Sequence, residues 1–340
     1  MSRLSSHLMS ELTVIIPTWN QCQLLEHCLH SLGKQTVSCH ILVVDNGSID
    51  STQTVIEAHQ TIFPGMLECL QLGRNFGFAR AVNEGIKAAQ TDFIALLNND
   101  TEADPHWVEA GLHALKELQG YSFFASKIVH FDQRDLLDCA GDCYSQAGIP
   151  YKRGYGEPVE KFSKTEPVLG ASAAAAFYLR SLFDEIGLFD EDFIIYLEDV
   201  DLSLRAQLLG HRCLYLPDAI VYHIEAASDP DRKPQTTAHK PQTPDRRPQT
   251  YYSQGRVHWI TRNRWQLMLT YQPVRHLPWI VYGWMRSALF HLFKAGFFVS
   301  FLLGLLAGLL STPRALRKRF ALHRKRVLSV QQFCQLLGKC

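Results

Sequence analysis

The sequence has almost no net charge, and this excludes one broad class of partner. Its 340 residues include 34 Lys and Arg and 33 Asp and Glu, for a formal charge of +1. Proteins that bind nucleic acid through electrostatic attraction need a basic excess, so we expect no nucleic acid as a partner. Residues 1–10 also lack an apolar core of signal-peptide length, which predicts that the chain is not exported.

Cysteine is present but lacks the spacing of a metal or redox site. Nine cysteines are scattered along the chain, and Cys139 and Cys143 are the only close pair. Their separation fits neither a zinc ribbon nor a redox motif. We therefore predict ordinary reduced thiols in a cytosolic compartment.

Two glycine-rich phosphate-binding signatures are missing. No Gly-x-Gly-x-x-Gly follows either of the first two apolar runs, which excludes the start of a Rossmann dehydrogenase. A nucleotidyltransferase on a similar sheet would need a basic, Gly-rich loop near the first strand, and residues 17–21 lack one. Nucleotidyl transfer is therefore kept only as an alternative function.

Apolar runs alternate with helical patterns, and an apolar content of 46% supports a substantial core. The runs that predict strands are residues 12–18, 41–44, 67–72, 93–97 and 121–129. Parallel strands need crossover helices, so the pattern predicts an α/β fold with a mostly parallel, Rossmann-like, nucleotide-binding sheet and flanking helices. Asn20 and Asp50 are expected to cap the helices that follow the first two strands.

Polar residues follow two of these strands directly. Asp45 and Asn46 follow residues 41–44, and Asn98, Asn99 and Asp100 follow residues 93–97. Open α/β sheets bind ligands beyond the carboxyl ends of their strands. There Asp45 could accept a hydrogen bond from a base or ribose, and Asp100 could hold a hard cation such as Mg²⁺. Ordinary hydrophilic turns are the alternative explanation of both stretches.

Two later stretches combine small residues with possible ligand contacts. Asn75-Phe76-Gly77 precedes a helix that carries Arg80, and a helix N terminus with a glycine lets phosphate approach the backbone. A solvated helix charge is the alternative for Arg80. Residues 170–176 contain one glycine and a run of alanines, which favours either close internal packing or the approach of a sugar ring.

Carboxylates are concentrated further along the chain, where six of the twelve residues 190–201 are acidic. Glu198 and Asp199 stand side by side ahead of a predicted helix, where burial and mutual repulsion can raise the pKa of one toward that of a useful general base. A helix cap is the alternative role for Asp199. Asp201 and Arg205 lie four residues apart and predict an ion pair.

Taken in chain order, these motifs resemble family 2 glycosyltransferases of the GT-A fold, and most closely the bacterial rhamnosyltransferase-like members. The motifs are Val14-Ile15-Ile16-Pro17-Thr18, Val43-Val44-Asp45-Asn46-Gly47-Ser48, Asn75-x-Gly77, Leu97-Asn98-Asn99-Asp100, Glu198-Asp199-Val200-Asp201 and His223. The likeness covers about residues 12–228, and residues 1–228 are predicted to form the catalytic domain.

The resemblance implies a binding site for a nucleotide-diphosphate sugar. Its residues would be Thr18, Asp45, Asn46, Asn75, Arg80, Asn98 and Asn99, of which Thr18, Asp45, Asn46 and Arg80 would lie near the base and ribose. In this family, such a donor passes its sugar to a glycan or lipid-linked acceptor during the synthesis of cell-surface polysaccharide. The resemblance makes rhamnose one candidate for the donor sugar.

The resemblance also implies a metal site and a catalytic base. Asp100 would end a DXD-like motif that holds Mg²⁺ or Mn²⁺ on the diphosphate, with Asn98 in the position of the first acid. His223 would be a later metal ligand or a contact to the diphosphate. Asp199 would be the catalytic base of an inverting transfer, with Glu198 orienting it or an acceptor hydroxyl. A degenerate scaffold that binds sugar nucleotides at the membrane is the non-enzymatic alternative.

The remaining third of the chain has a different composition. Residues 229–250 are rich in proline, with Pro-Gln-Thr at 234, 241 and 248, and predict a disordered linker. Residues 251–340 are predicted to form a helical, membrane-associating region. Four of its residues, Trp279, Tyr282, Trp284 and Arg286, are expected to be interfacial anchors.

An uncharged stretch in this region bears on how it meets the membrane. Residues 295–310 are sixteen residues without a charge, which is marginal for a span of about 20 residues. The basic residues that follow are Arg314, Arg317, Lys318, Arg319, Arg324, Lys325 and Arg326. We predict a monotopic or re-entrant arrangement at the cytoplasmic face of the cell membrane, with the basic residues on anionic lipid. A single span or a buried core helix are the alternatives.

Overall fold

The computed structural model describes residues 11–224 and 253–337, without the side chains of residues 294 and 295. The predicted linker 229–250 lies outside the described residues, and so do both ends of that linker. The boundaries between the predicted regions therefore stay predictions.

The strands follow the predicted apolar runs closely in the first half of the chain. They are β1 (Leu12–Thr18), β2 (His40–Asp45), β3 (Leu67–Gln71), β4 (Phe93–Leu97), β5 (Thr101–Ala103), β6 (Phe123–His130), β7 (Leu137–Cys139), β8 (Asp142–Tyr144), β9 (Pro150–Lys152), β10 (Glu166–Val168), β11 (Ala175–Leu179) and β12 (Cys213–His223).

Helices separate the strands and form the whole described C-terminal part. They are α1 (Cys22–Leu32), α2 (Thr52–Ile62), α3 (Phe78–Ala88), α4 (Trp107–Glu117), α5 (Arg180–Ile186), α6 (Glu198–Leu208), α7 (Gln254–Tyr271), α8 (Leu277–Phe290), α9 (Phe298–Lys325) and α10 (Val330–Leu336). Short 3-10 turns span Val159–Lys161, Glu191–Phe193 and Val274–His276, and a π-helical turn spans His291–Ala295.

The central sheet has the strand order β10-β12-β6-β11-β4-β1-β2-β3. The half formed by β4, β1, β2 and β3 is parallel, as helix crossovers require. The other half is mixed, because β11 runs antiparallel between β4 and β6. The parallel arrangement predicted from the sequence thus holds for the half in which strands alternate with helices.

Buried side chains form one layer on each face of this sheet. Leu25 and Leu29 of α1, Ile56 of α2 and Trp107 of α4 pack on one face. Residues of α3, α5 and α6 pack on the other. Helices therefore cover both faces of the sheet. The carboxyl ends of its parallel strands lead into the loops that carry the predicted site residues.

A third cluster joins α6 to the C-terminal helices. Leu204 and Leu208 of α6 pack with Tyr271 of α7, Leu322 of α9 and Phe333 of α10. The described part of the region 253–337 thus shares a buried core with α6.

Helix α9 has two dissimilar faces. A Cβ atom on Gly304 would lie 2.4 Å from the carbonyl oxygen of His258 in α7, and one on Gly308 would lie 2.8 Å from the Trp265 Cβ, so only small residues allow this approach. On the opposite face Leu306 is 57% exposed and Leu310 is 85% exposed. Among the described helices, α9 is the one whose length and composition would let it cross a membrane, with a mean hydropathy of 1.6 over its apolar window.

The structure corrects two expectations for this region. Trp284 packs inward, with its ring centroid 5.7 Å from that of Trp265, so it joins α8 to α7 instead of forming an anchor. Three of the basic residues bond to the protein: Arg314 pairs with Asp192, Lys318 pairs with Asp190 and Asp201, and Arg319 donates to the carbonyls of Leu269 and Gln272. Lys318 and Arg319 are therefore directed into the protein, whereas the Arg314 side chain stays 56% exposed.

One cysteine prediction is wrong. Cys143 is disulfide-bonded, whereas Cys139 and the other described cysteines are free thiols. Spacing along the chain tests only local metal and redox motifs, and a disulfide joins residues that folding brings together.

Candidate active site

The loops that follow β1 and β2 hold each other in place. Asn20 accepts a hydrogen bond from the Ile49 amide at 2.7 Å, and its own amide donates to Ser48 Oγ at 3.0 Å. Asp50 accepts from the Cys22 amide at 3.0 Å. The prediction that Asn20 caps α1 is therefore wrong. Asn20 lies at φ 51° ahead of α1 and bonds to the neighbouring loop instead.

The predicted base and ribose contacts lie in these braced loops. Thr18 and Asp45 are buried at neighbouring strand ends. Asn46 donates to the side chain of Asn75 at 3.1 Å and to the Gly77 carbonyl at 3.2 Å, and it accepts from the Phe76 amide at 2.9 Å. In this structure Asn46 and Asn75 therefore hold the loops after β2 and β3 together.

Two arginines lie at the start of α3. The guanidinium groups of Arg74 and Arg80 stand 4.4 and 4.3 Å from the ring centroid of Phe76. Two cations beside a helix N terminus favour a bound diphosphate. Sequence analysis found Arg80 and missed Arg74, although Arg74 directly precedes the Asn75-x-Gly77 motif.

The strand end at β4 presents two buried oxygens. The Asn98 amide donates to the Ala174 carbonyl at 2.9 Å, and the Asn99 side chain donates to Thr18 Oγ1 at 2.9 Å. Asn98 Oδ1 has no hydrogen-bond partner among the described residues, and an unsatisfied buried oxygen costs about 1–3 kcal/mol. Asp100 Oδ1 accepts no close hydrogen bond there and has an ion pair with His223. Both oxygens suit a divalent cation, which prefers oxygen ligands.

His223, at the end of β12, faces this strand end. Its Nε2 lies 3.4 Å from Asp100 Oδ1, and its Nδ1 lies 2.8 Å from Asp138 Oδ2. Asp138 in turn accepts from Lys152 Nζ at 2.5 Å. Sequence analysis missed Asp138 and Lys152, because residues 130–164 carry no periodic pattern that would mark them.

Burial and neighbouring charges shift the pKa values of His223 and Asp138 in opposite directions. Burial lowers the pKa of His223, but the carboxylates of Asp100 and Asp138 outweigh it and raise the pKa of His223 to about 10. Burial raises the pKa of Asp138, yet Lys152 and His223 hold the pKa of Asp138 well below its usual range. Opposite charges thus alternate from Asp100 to Lys152.

The residues that the structure describes include no group of three or more His, Cys, Asp and Glu side chains that could hold a metal alone. The pair Asp100 and His223, with Asn98 Oδ1, fits a cation that keeps waters or substrate phosphates as its remaining ligands, as Mg²⁺ commonly does.

The predicted base lies close to the same strand end. Asp199 Oδ2 accepts from the Ala173 amide at 3.1 Å, and Asp199 Oδ1 accepts from the Val200 amide at 2.8 Å. The next residue, Ala174, is the one whose carbonyl binds the Asn98 amide. One short turn therefore contacts both Asp199 and the start of the 98–100 motif.

Three buried carboxyl groups meet on this side of the turn. Burial raises the pKa of Asp199 and raises the pKa of Glu198 far more, with Asp199 adding to the second shift. Asp142 of β8 also has a pKa well above its usual range, from burial and the charge of Asp199. Asp142 Oδ2 and Glu198 Oε2 have no hydrogen-bond partner among the described residues. Sequence analysis missed Asp142, which no motif marks.

The small residues at 170–176 explain how α6 approaches this turn. A Cβ atom on Gly170 would lie 2.3 Å from Ser203 Oγ of α6, and Ala173, Ala175 and Ala176 are buried. Close packing therefore accounts for Gly170, and it sets the distance between β11 and the helix that begins with Glu198 and Asp199.

The amino-acid sequence of this chain is similar to those of known proteins. The family model described as glycosyl transferase family 2 matches residues 13–187. The chain is 27% identical over 243 residues to the N-acetylglucosaminyl-diphospho-decaprenol L-rhamnosyltransferase of Mycobacterium tuberculosis, covering 64% of this chain and 77% of that protein. The chain spans 24% of the length of one further curated relative and 76% of another.

Solved structures share the fold. Staphylococcus aureus TarS 1–349 in complex with UDP-GlcNAc matches with a TM-score of 0.57 at 19% identity, over 96% of this chain and 90% of that one. The mannosyltransferase PcManGT from Pyrobaculum calidifontis, in complex with GDP-Man and Mn²⁺, matches with a TM-score of 0.52 at 15% identity, over 94% of this chain and 86% of that one. The predicted GT-A fold is confirmed.

We expect the metal-free protein to lose stability as the pH rises from about 6.5 to about 10. The folded-state pKa of His223, about 10, lies above its ordinary value of 6.5. The stabilisation from charged His223 is therefore complete below pH 6.5 and disappears as the pH passes the folded-state pKa. Urea unfolding in the presence of a chelator, across this pH range, measures the decline.

The variant His223→Gln should flatten that decline, and the exposed His113→Gln should leave it unchanged. An equally steep decline in His223→Gln would contradict the assignment.

Proposed function

We propose, because this chain belongs to glycosyl transferase family 2, that it is an inverting, metal-dependent enzyme of cell-surface polysaccharide synthesis. It takes a sugar from a nucleotide-diphosphate sugar and transfers it to a glycan or lipid-linked acceptor. The observation that carries this proposal is the turn at residues 173–174, which bonds to Asp199 on one side and to Asn98 on the other. A metal-bound diphosphate and a base can then act on one sugar.

Asp100, Asn98 and His223 would hold Mg²⁺ or Mn²⁺, and His223 would have to give up its Nε2 proton to do so, because a metal binds only the neutral imidazole. When bound, the metal would neutralise charge on the departing diphosphate. The assignment is supported by Asn98 Oδ1, which bonds to no described residue, by Asp100 Oδ1, which faces His223, and by the presence of Mn²⁺ in the complex of PcManGT. Asp138 orients His223 by accepting a hydrogen bond at Nδ1, which leaves Nε2 facing Asp100.

Asp199 would be the general base. It takes the proton of the acceptor hydroxyl as that oxygen forms a bond to the anomeric carbon, while the bond from that carbon to the diphosphate oxygen breaks. Attack opposite the leaving group inverts the anomeric configuration. A pKa of Asp199 raised by burial favours proton uptake, and the still higher pKa of Glu198 suits a neutral carboxyl that donates a hydrogen bond to Asp199 or the acceptor.

The donor would lie across the loops after β1, β2 and β4. Thr18 and Asp45 would contact the base and ribose, and Arg80 the diphosphate or ribose. Asn46, Asn75 and Asn99 act here mainly by holding these loops, as their hydrogen bonds to Phe76, Gly77 and Thr18 indicate.

Rhamnose and a lipid-diphosphate acceptor are the first candidates to test. Their support is the name of the mycobacterial relative, at 27% identity over 64% of this chain. A degenerate scaffold is disfavoured by the retained Asp100 and Glu198-Asp199 pair. The buried Glu198 Oε2 bonds to no described residue and is costly to bury unless a ligand or reaction uses it. Nucleotidyl transfer is disfavoured by the missing basic glycine-rich loop.

The exposed faces of α8 and α9 would lie on the cytoplasmic face of the cell membrane. Exposed apolar side chains include Trp279, Tyr282, Phe293, Leu303 and Leu310, a surface larger than single scattered residues would form. The opposite face of α9 is packed on α7 through Gly304 and Gly308. A helix held to the enzyme along one side suits a monotopic position better than a lone span.

We expect the purified protein with Mn²⁺ to release nucleoside diphosphate slowly from one member of a panel of UDP-, GDP- and dTDP-sugars. Water can replace the acceptor at a low rate once the donor is bound and activated. Release should stop when a chelator is added. Release from no donor, or equal release with chelator, would overturn the metal-dependent assignment.

Asp199→Asn should lower transfer by about 10²–10⁴-fold, the usual contribution of a positioned base. Binding of Mn²⁺ together with UDP, GDP or dTDP should stay within about threefold by calorimetry, because Asp199 is not placed to hold the metal. The exposed Asp92→Asn is the matched control and should remain active. Unchanged turnover in Asp199→Asn would remove it as the base.

The triple variant Leu303→Gln, Leu306→Gln, Leu310→Gln should detach the protein from vesicles that contain anionic lipid. Burial of each leucine contributes about 1.5–3 kcal/mol, so we expect at least a tenfold loss of binding in a flotation assay. The double variant Ile49→Gln, Ile62→Gln changes exposed residues of the catalytic part and should bind normally. Equal flotation of both variants would count against this surface.

A further inference from the structure

The segment between α5 and α6 has an unusual backbone. Three of its residues have positive φ although none is glycine: Ile194 at 60°, Tyr196 at 67° and Leu197 at 67°. L-residues rarely adopt this region, and a β-branched residue such as Ile194 adopts it least readily. Because Leu197 is followed at once by Glu198 and Asp199, the path of this segment sets where the proposed base lies.

A buried asparagine of α7 holds the segment. Asn263 is fully buried, and its Nδ2 donates to the carbonyls of Phe193 at 2.9 Å, Ile195 at 2.9 Å and Tyr196 at 2.8 Å. These carbonyls belong to an irregular stretch, in which the Phe193 carbonyl also accepts from the Ile195 amide at 2.5 Å, and backbone oxygens that are shielded from water need such donors. One side-chain amide supplies them at the strained positions.

The opposite side of the segment rests on the donor-side helix. The carbonyl of Ile194 accepts from the amides of Phe78 at 2.8 Å and Ala79 at 3.3 Å, at the start of α3. A Cβ atom on Gly77 would lie 2.8 Å from the same carbonyl oxygen. The segment is thus fixed between α3 and α7.

The first turn of α6 is held from the same direction. Asp201 accepts from Lys318 Nζ of α9 at 2.6 Å and from the Tyr271 hydroxyl of α7 at 2.8 Å. Lys318 also donates to Asp190 at 2.6 Å, ahead of the segment. Residues on both sides of Asp199 are therefore bonded to the C-terminal helices.

We propose that Asn263 is a positioning residue for Asp199, and that α7 therefore takes part in sugar transfer from outside the residues that the family model matches. The proposal rests on the role of Asp199 given above. Asn263 acts through the Phe193, Ile195 and Tyr196 carbonyls and contacts neither donor nor acceptor. Without its two N–H groups, the strained backbone can relax and move the carboxylate of Asp199, and misplacement of a reacting group by about 1 Å can cost roughly 100-fold in rate.

The test is Asn263→Asp, which keeps the shape of the side chain and removes both donors. The matched control is Gln272→Glu, the same amide-to-acid change at a buried position at the end of α7. Gln272 donates to the Ser145 carbonyl and accepts from His276, away from residues 193–197. Each protein is assayed at full length for kcat, for KM of the donor found in the panel, and for binding of Mn²⁺ with UDP, GDP or dTDP.

For Asn263→Asp we expect a loss in kcat of about 10–100-fold, with nucleotide binding within about threefold of the wild type. Hydrogen exchange should speed up across residues 193–197 in this variant and not in Gln272→Glu. A normal kcat would overturn the proposal, and so would a fall in nucleotide binding that equals the fall in kcat, or unchanged exchange across the segment.

If Asn263→Asp does not fold, Asn263→Ser decides the question, because serine retains one donor. We then expect a smaller loss in kcat with normal nucleotide binding, and an unchanged kcat overturns the proposal. Asp199→Asn separates this inference from the proposed function. If Asp199→Asn is inactive and Asn263→Asp is fully active, only the positioning role fails; if Asp199→Asn remains active, the base assignment fails first.

Discussion

The short turn ahead of β11 is the constraint on which the candidate site depends. The Ala173 amide binds Asp199, and the Ala174 carbonyl binds the Asn98 amide. Both contacts are made by the main chain, so they require α6 and the end of β4 to approach the turn closely. Gly170 permits that approach, since any larger residue would meet Ser203. Residues about a hundred positions apart are thereby held against the same turn by two hydrogen bonds.

Buried charges beside this turn are arranged in alternating sign. Asp100, His223, Asp138 and Lys152 follow one another through contacts of 2.5–3.4 Å. A buried charge is costly unless a partner of opposite sign is near, and each inner member of this chain has one on both sides. Asp142, Glu198 and Asp199 have no ion pair among the described residues, and burial raises the pKa of each. The structure thus separates Asp138, whose pKa is held low, from three carboxyl groups that can exchange a proton.

The C-terminal helices explain most of the acidic concentration at residues 190–201. Asp190, Asp192 and Asp201 pair with Lys318 and Arg314 of α9, and Glu191 accepts from Asn83. Of these six acidic residues, Glu198 and Asp199 remain available to the candidate active site. The same helices carry the exposed apolar surface of α8 and α9, so the elements proposed to meet the membrane also support the proposed base.

The order of strands and helices in the first hundred residues follows from the sequence alone, because apolar runs and helical periodicity are local signals. The carboxyl ends of β1, β2 and β4 were found in the same way: Thr18 and Asp45 are the last residues of β1 and β2, and Asp100 lies three residues after β4. The antiparallel course of β11 and the positions of Asp138, Asp142 and Lys152 were not, since these depend on strand pairing and on an irregular stretch. Asn263 illustrates the limit most clearly: its residue type carries no signal, and only the tertiary structure brings its amide to three carbonyls of a strained segment seventy residues earlier, because that contact depends on how α7 packs against the segment.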